Sequence, residues 1–298
     1  MVLATVIVPV FNDVVGLRRC LGGLARQTLP QEQYEVLVVD NGSSRDLSEA
    51  MGALPQARLL HEPTPGSYAA RNTGVEHARG RVLAFTDADC TPRPDWLERA
   101  LRHLDGGARD VVLGGRIDVY ALDPAHPTWA EEYDLSLAFP QRLYVEQQRY
   151  SVTANLITTR RVMSHSGPFN ARLKSGGDKE WCQRAVGYGF AIEYADDVVV
   201  DHPARHSIHD LVRKRRRQVG GQLAAAKLRY PAAIAYAMLL GKALAPPGVR
   251  LLRTMTHEHG NWRDAVRRSS IVLGVSLALG VGSSCELVSQ ALGSEAKR

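Results

Sequence analysis

The run Val2-Leu3-Ala4-Thr5-Val6-Ile7-Val8, closed by Pro9, decides the architecture. An unbroken apolar stretch rich in β-branched residues is what a strand buried on both faces of a parallel sheet requires. After it the period changes: Val14, Leu17, Leu21 and Leu24 recur at helical spacing within 14–27, and Tyr34-Glu35-Val36-Leu37-Val38-Val39 returns to strand. That completes one βαβ unit. The alternation continues with a strand at 57–60, a helix at 68–77 and a strand at 81–86. An α/β fold with a largely parallel sheet follows. From Asp110 onward the pattern loosens into a strand at 111–120, a loop with a helix over 124–148, a strand at 151–159 and a long strand or strand pair at 190–200. Past Ile208 it is helical.

Composition narrows the class. With 298 residues, 45% hydrophobic and 23% charged, the chain has material for one large or two small domains, which excludes a disordered, collagen-like or disulfide-framework protein. Cys20, Cys90, Cys182 and Cys285 show no C-x-x-C spacing and read as ordinary buried thiols. No signal-peptide pattern precedes the first strand, so a cytoplasmic location is expected. Charge is divided unevenly: residues 205–298 hold 16 Lys and Arg against 5 Asp and Glu, a net +11, whereas 1–204 hold 21 against 26, a net −5. A basic region of this kind suits phosphates, an anionic membrane surface or a solvated helix face. Within it, 271–281 is apolar and the uncharged stretch runs on to Cys285, too short to span a bilayer comfortably. It is expected to pack as a core helix or to lie in the membrane interface at the inner face of the cell membrane.

In open α/β sheets ligands bind beyond the carboxyl ends of the strands, which selects Pro9-Val10-Phe11-Asn12-Asp13, Asp40-Asn41-Gly42-Ser43-Ser44 and Asp87-Ala88-Asp89-Cys90. No G-x-G-x-x-G follows the first strand and no G-x-x-x-x-G-K-[ST] is present, so dinucleotide and P-loop chemistry are disfavoured. Asp87 and Asp89, one residue apart at a strand end, offer hard oxygen ligands for Mg²⁺ or Mn²⁺; the plain alternative is a turn capped by Asp87. The cluster Arg213-Lys214-Arg215-Arg216-Arg217 cannot face one phosphate with all five cations. Neither a helix-turn-helix nor interleaved aromatics accompany it, so nucleic acid is not expected as a partner.

Taken together, Pro9-Val10-Phe11-Asn12, Val38-Val39-Asp40-Asn41-Gly42-Ser43-Ser44, Ala70-Arg71-Asn72-Thr73-Gly74 and Phe85-Thr86-Asp87-Ala88-Asp89 resemble, in order and spacing, the family 2 glycosyltransferases. The likeness extends through Ala154-Asn155-Leu156, Arg160-Arg161 and Gly167-Pro168-Phe169-Asn170 to Gly176-Gly177-Asp178-Lys179-Glu180. About the first 205 residues are covered. The resemblance implies a GT-A fold, the Rossmann-like fold of nucleotide-diphospho-sugar transferases, with a mostly parallel sheet flanked by helices and a helical C-terminal extension. It divides into a nucleotide-sugar-binding half at 1–115, an acceptor-binding half at 116–205 and a basic helical region at 206–298 that would associate with anionic membrane. The activity implied is metal-dependent, inverting sugar transfer from a nucleotide diphosphate sugar, UDP-linked by preference although GDP-mannose is open, to a glycan or lipid-linked hydroxyl in cell-surface polysaccharide or glycolipid synthesis. Gln218 lacks the tryptophan of the processive members' Gln-x-x-Arg-Trp, so a non-processive bacterial-type enzyme is expected.

Residue by residue, the resemblance assigns nucleotide-sugar contacts to Pro9, Val10, Phe11, Asn12, Asp40, Asn41, Arg71, Asp87, Ala88 and Asp89. Asp89 is the expected ligand for Mn²⁺ or Mg²⁺, with His202 as a further ligand and Asp87 an alternative one; His206 and His209 are close enough to leave that histidine open. Arg213, Arg216 and Arg217 are assigned to the diphosphate or an anionic surface. Inversion needs one positioned carboxylate as base. Asp178 is the residue expected there and Glu180 the alternative, since many members read Glu-Asp where this chain has Gly177-Asp178. A capping role for Asp178 at a helix start is physically compatible with catalysis. Two other readings are a nucleotide-sugar-binding protein without turnover and a nucleotidyltransferase.

Overall fold

The structure, a computed structural model, describes residues 1–137, 139–227, 230–244 and 262–291. Within the expected basic region, 245–261 and 292–298 and the Arg267 and Arg268 side chains lie outside the described residues.

In chain order the strands are β1 (Ala4–Val10), β2 (Tyr34–Asp40), β3 (Arg58–His61), β4 (Val82–Phe85), β5 (Thr91–Pro92), β6 (Val111–Tyr120), β7 (Leu156–Thr159) and β8 (Ala191–Pro203). They form one sheet in the order β3-β2-β1-β4-β7-β6-β8-β5. β1 pairs in parallel with β2 and β4, and β2 with β3; β7 is antiparallel to both β4 and β6, so β6 runs with the first four strands. The sheet is therefore mixed and mostly parallel. Every residue of β1 is buried, as its apolar run demands.

β1 passes through Pro9 instead of stopping there: Pro9 pairs with Val39 and Val10 with Asp40. The reason lies in which edge the missing N–H would face. Ile7 accepts from Thr86 on the β4 side, and Pro9, two residues on, points the same way beyond the end of β4 at Phe85. No ladder bond is lost there. The expected strand at 151–159 is also shorter, because 153–155 forms a 3-10 turn before β7 begins. That turn is held by Asn155, which is fully buried: its Nδ2 donates to the carbonyls of Arg116 and Val198, and its Oδ1 accepts from Trp96 Nε1 at 2.9 Å.

The helices that bear on function are α1 (Val14–Ala25), α2 (Ser48–Met51), α3 (Ser67–His77), α4 (Trp96–His103), α5 (Trp129–Leu137), α6 (Gln141–Gln148), α7 (Arg160–Ser166), α8 (Gly177–Gly187), α9 (Ile208–Lys227), α10 (Ala232–Leu244) and α11 (Trp262–Ala291). Where a loop with one helix is expected over 124–148, two helices form, α5 and α6.

The chain divides into two compact units, 1–118 with 139–172 and 177–202, and 119–138 with 173–176 and 203–298. In the second unit, Ile271, Val272, Val275 and Leu279 of α11 pack with Ala130 and Tyr133 of α5 and Leu211 of α9. Val219 and Leu223 of α9 pack with Ala235 and Leu239 of α10 and Leu287 of α11. By length and composition 270–290, with mean hydropathy 1.9, is sufficient to cross a membrane, longer than the apolar core at 271–281 indicates. Its buried face carries Glu286, 1% exposed, whose Oε2 accepts from Arg216 Nε at 3.0 Å. Cys20, Cys90 and Cys182 are buried as expected, whereas Cys285 on α11 is exposed.

Candidate active site

The site gathers at the carboxyl ends of β1, β2 and β4 in the first unit, where the topology directs ligands. After β1, Asn12 adopts φ 56° and its Oδ1 accepts from the backbone N–H groups of Ser44 and Arg45, while its own N–H donates to Ser43 Oγ at 2.8 Å. After β2, Asp40 Oδ1 accepts from Ser43 N–H at 2.8 Å, so Asp40 closes its own loop and does not cap α2. Asn41 is buried: its Nδ2 donates to the carbonyls of Glu62 and Thr64 and its Oδ1 accepts from Gly66 N–H. Both asparagine side chains thus tie loops together, while Asp40 Oδ2 lies 3.6 Å from His61 Nδ1. Pro9, Val10 and Ala88 are buried, and the Phe11 ring is half-exposed beside them.

The two aspartates after β4 separate. Asp87 is bonded to the guanidinium of Arg71, which is buried on α3 and sits 5.5 Å from the Tyr68 ring centroid. The Arg71 Nε is buried without a partner. Asp89 turns to the end of β8, where its Oδ2 lies 3.4 Å from Nε2 of His202, a residue only 3% exposed. Asp89, Cys90 and His202 each place one ligand-capable atom within 4.8 Å of the others. Cys90 is the member that its chain position alone does not announce; burial, then the neighbouring Asp89 and Asp87, pushes its thiol well above the ordinary value, so it stays protonated. Phe139 packs against the imidazole of His202 at 4.7 Å between centroids. His206 and His209, in the second unit, are instead exposed beside Glu131 and Asp210 respectively.

Asp178 lies in the first turn of α8, next to Gly177 at the helix start, and is half-buried. Its Oδ1 accepts from Lys179 N–H at 2.8 Å and from Tyr68 Oη at 3.3 Å. Burial pushes its carboxyl above the usual carboxylate range, and the Lys179 N–H and Arg71 work against that rise. Glu180 points elsewhere, pairing with Arg184 one turn along α8 at 3.0 Å. Tyr68 is the residue that sequence reasoning missed. It stands three positions before Arg71 on α3, hence on the same helix face, and that spacing was the signal available.

The basic cluster on α9 is largely engaged within its own unit. Lys214 reaches Asp134 at 3.9 Å, Arg215 Nε donates to Ser283, Arg216 pairs with Glu286, and Arg213 is exposed near Asp210. Arg217 is exposed.

The carboxyl edge of the sheet thus carries an Asp-x-Asp pair, with one member on Arg71 and the other beside a buried histidine. The chain belongs to glycosyl transferase family 2, whose model matches residues 5–167, and it is a glycosyltransferase. Glycosyltransferase AglE of Haloferax volcanii is 36% identical over 253 residues, covering 82% of this chain and 82% of that protein. The pre-mycofactocin glycosyltransferase of Mycobacterium tuberculosis is 30% identical over 248 residues, 80% of this chain but 51% of its own length. Among solved structures, the mannosyltransferase PcManGT from Pyrobaculum calidifontis in complex with GDP-Man and Mn²⁺ superposes with a TM-score of 0.62 at 20% identity, over 98% of this chain and 88% of that one. S. aureus TarS 1–349 in complex with UDP-GlcNAc gives 0.54 at 18% identity, over 99% and 93%. The fold is GT-A.

Proposed function

We propose that this protein is an inverting, non-processive glycosyltransferase that moves a sugar from a nucleoside diphosphate sugar, UDP-linked in the first instance, to a hydroxyl of a glycan or lipid-linked acceptor. The observation that carries the reading is the division of carboxylates: Asp89 beside His202, Asp87 on Arg71, and Asp178 at the start of α8 on Tyr68, the residue over which Arg71 sits. The donor set of Asp89 and His202, one carboxylate oxygen and one imidazole nitrogen 3.4 Å apart, fits a divalent cation such as Mn²⁺ or Mg²⁺. Such a cation, when bound, neutralises charge developing on a leaving diphosphate. The remaining work belongs to side chains of this chain. Asp40 contacts the base or ribose, and the Asn12 and Asn41 side chains hold the 9–12 and 40–44 loops in the conformation that receives the donor. Arg71, held by Asp87, keeps one buried unpartnered Nε for a donor oxygen. Asp178 takes the proton of the acceptor hydroxyl as that oxygen attacks the anomeric carbon from the face opposite the diphosphate.

On this reading 1–115 holds the donor and 116–205 the acceptor. The second unit supplies a surface for anionic lipid at the cytoplasmic face of a membrane: α11 exposes Leu273, Leu277, Val281 and Val288, α9 exposes Arg213 and Arg217, and the region carries the net +11. Co-sedimentation with vesicles containing anionic phosphatidylglycerol, and none with phosphatidylcholine alone, is the expected result; equal pelleting without vesicles removes the idea.

The test of the central reading is calorimetry of UDP, GDP and their sugar conjugates with Mn²⁺, with Mg²⁺ and with chelator, on the native protein and on Asp89→Ala. Cation-dependent binding of one nucleotide, lost in the variant, supports it. Binding that ignores both chelator and substitution defeats the metal assignment.

A further inference from the structure

The head of α8 contains a contact that sugar transfer as described does not use. The Tyr68 hydroxyl accepts from Gly177 N–H at 2.9 Å and donates to Asp178 Oδ1 at 3.3 Å, so one phenol oxygen bridges the backbone at the helix start and the carboxylate next to it. The ring itself is pinned. It stacks on Phe169 at 5.9 Å between centroids, and Phe169 in turn packs edge-on to Phe85 of β4 and against Trp181 of α8. Asn72, one turn along α3, exchanges two hydrogen bonds with the backbone of Phe169, both 2.9 Å. A Cβ at position 177 would lie 2.7 to 2.9 Å from three atoms of the Tyr68 ring, so glycine there is a steric consequence of the tyrosine. Gly177 and Tyr68 therefore act as a pair, and the acidic residue that many family members carry at 177 has no room here.

We propose that Tyr68 is the positioning residue for Asp178: its hydroxyl, oriented by the Gly177 N–H, holds the carboxylate in place at the start of α8. The inference rests on the reading of Asp178 as the base. Tyr68 can serve as donor throughout the working pH range, because burial and the adjacent Asp178 push its phenol well above the ordinary value. It gives the carboxylate a neutral donor beside Lys179 N–H, partly offsetting the desolvation that favours the protonated acid. The titratable and charged groups facing Asp178 are Arg71 of α3, Asp87 beyond β4, Tyr150 before β7, and Cys182 one turn along α8. Tyr68 is the one whose hydroxyl is bonded to Asp178 among the described side chains.

The experiment is a ¹³C NMR titration of protein labelled at aspartate carboxyls, with the Asp178 signal assigned by its loss in Asp178→Asn. Tyr68→Phe keeps the ring stack and removes only the hydroxyl. The Asp178 midpoint should rise by about one pH unit, because a hydrogen bond to the charged form is gone. Affinity for UDP or GDP with Mn²⁺ should stay within about twofold, which separates loss of positioning from general damage. Gly177→Ala, which displaces the ring with its hydroxyl still present, should raise the midpoint similarly, and the double variant should add little to either. An unchanged midpoint in folded Tyr68→Phe overturns the proposal, as does a shift accompanied by equal loss of nucleotide affinity. If instead Asp178→Asn retains turnover while Tyr68→Phe still moves the midpoint, the base assignment has failed and the Tyr68 contact stands.

Discussion

Arg71 and Asp87 are bonded side chain to side chain, a buried guanidinium on α3 against a half-exposed carboxylate just past β4. This pairing settles which of the two aspartates after β4 is left to face His202. Arg71→Met should cost about 2 kcal/mol, less than the roughly 3–5 typical of a fully buried pair because water reaches Asp87. It should also weaken nucleotide-sugar binding at least tenfold. Urea unfolding and calorimetry read the two effects separately.

Asp178→Asn removes the proposed base while keeping shape. Transfer should fall by roughly a hundredfold or more with donor affinity kept. Because burial raises the Asp178 carboxyl and the base must be ionised, activity should decline as pH falls through a value above the ordinary carboxylate range. An acid limb at or below pH 4 in the pH profile of kcat would contradict this.

His202→Gln keeps a polar side chain but replaces the imidazole 3.4 Å from Asp89. Nucleotide affinity in Mn²⁺ should fall toward the level seen with chelator, about 10–100-fold. Equal losses with and without the cation would point to damaged packing at the Phe139 contact instead.

Gly74 faces β1 so closely that an added Cβ would lie 2.4 Å from Ile7 Cγ2. Gly74→Ala should destabilise by about 2 kcal/mol even though alanine favours a helix by up to roughly 1 kcal/mol. A stabilised variant in urea would show that α3 can lift off the sheet, and with it Tyr68 and Arg71.

Glu35, buried on β2, accepts from Thr5 Oγ1 at 2.8 Å and from Arg79 N–H and Nε at 2.6 and 2.8 Å. Desolvation raises its carboxyl, but the bonds from Thr5 and Arg79 outweigh it and the net shift is downward. A lowered folded-state value means stability present above the ordinary glutamate value and lost as pH falls through the lowered one. Glu35→Gln should cost about 1.5–3 kcal/mol at neutral pH and flatten that acid dependence, measured by urea unfolding across pH.

Much of this was legible because it is local. The β-branched run of β1, the apolar spacing of α1 and the polar residues after β1, β2 and β4 each follow from period and strand-end chemistry. Pro9 misled because its cost depends on which edge of β1 faces β4, a property of pairing and not of the residue. The 3-10 turn at 153–155 escaped for a similar reason, since Asn155 is held there by Trp96, Arg116 and Val198, far away in the chain. Asp87 and Asp89 look alike in sequence; only Arg71 and His202 tell them apart. Tyr68 was hidden because its partner lies 110 residues away, and nothing in the spacing of α3 says which helix start will meet it.

The pairing of β5 with β8 also has a bearing on how the enzyme comes into being. The first four strands can associate early on the ribosome, with Asp89 already translated, but Thr91 and Pro92 must wait for Asp201 and Val200. The nascent chain thus carries Asp89, one half of the proposed cation site, through more than a hundred further codons before His202 arrives. Loss of the message before that point would leave a polypeptide that carries Asp87, Asp89 and Cys90 without the imidazole, so such truncated products should compete poorly with the finished enzyme for a divalent cation.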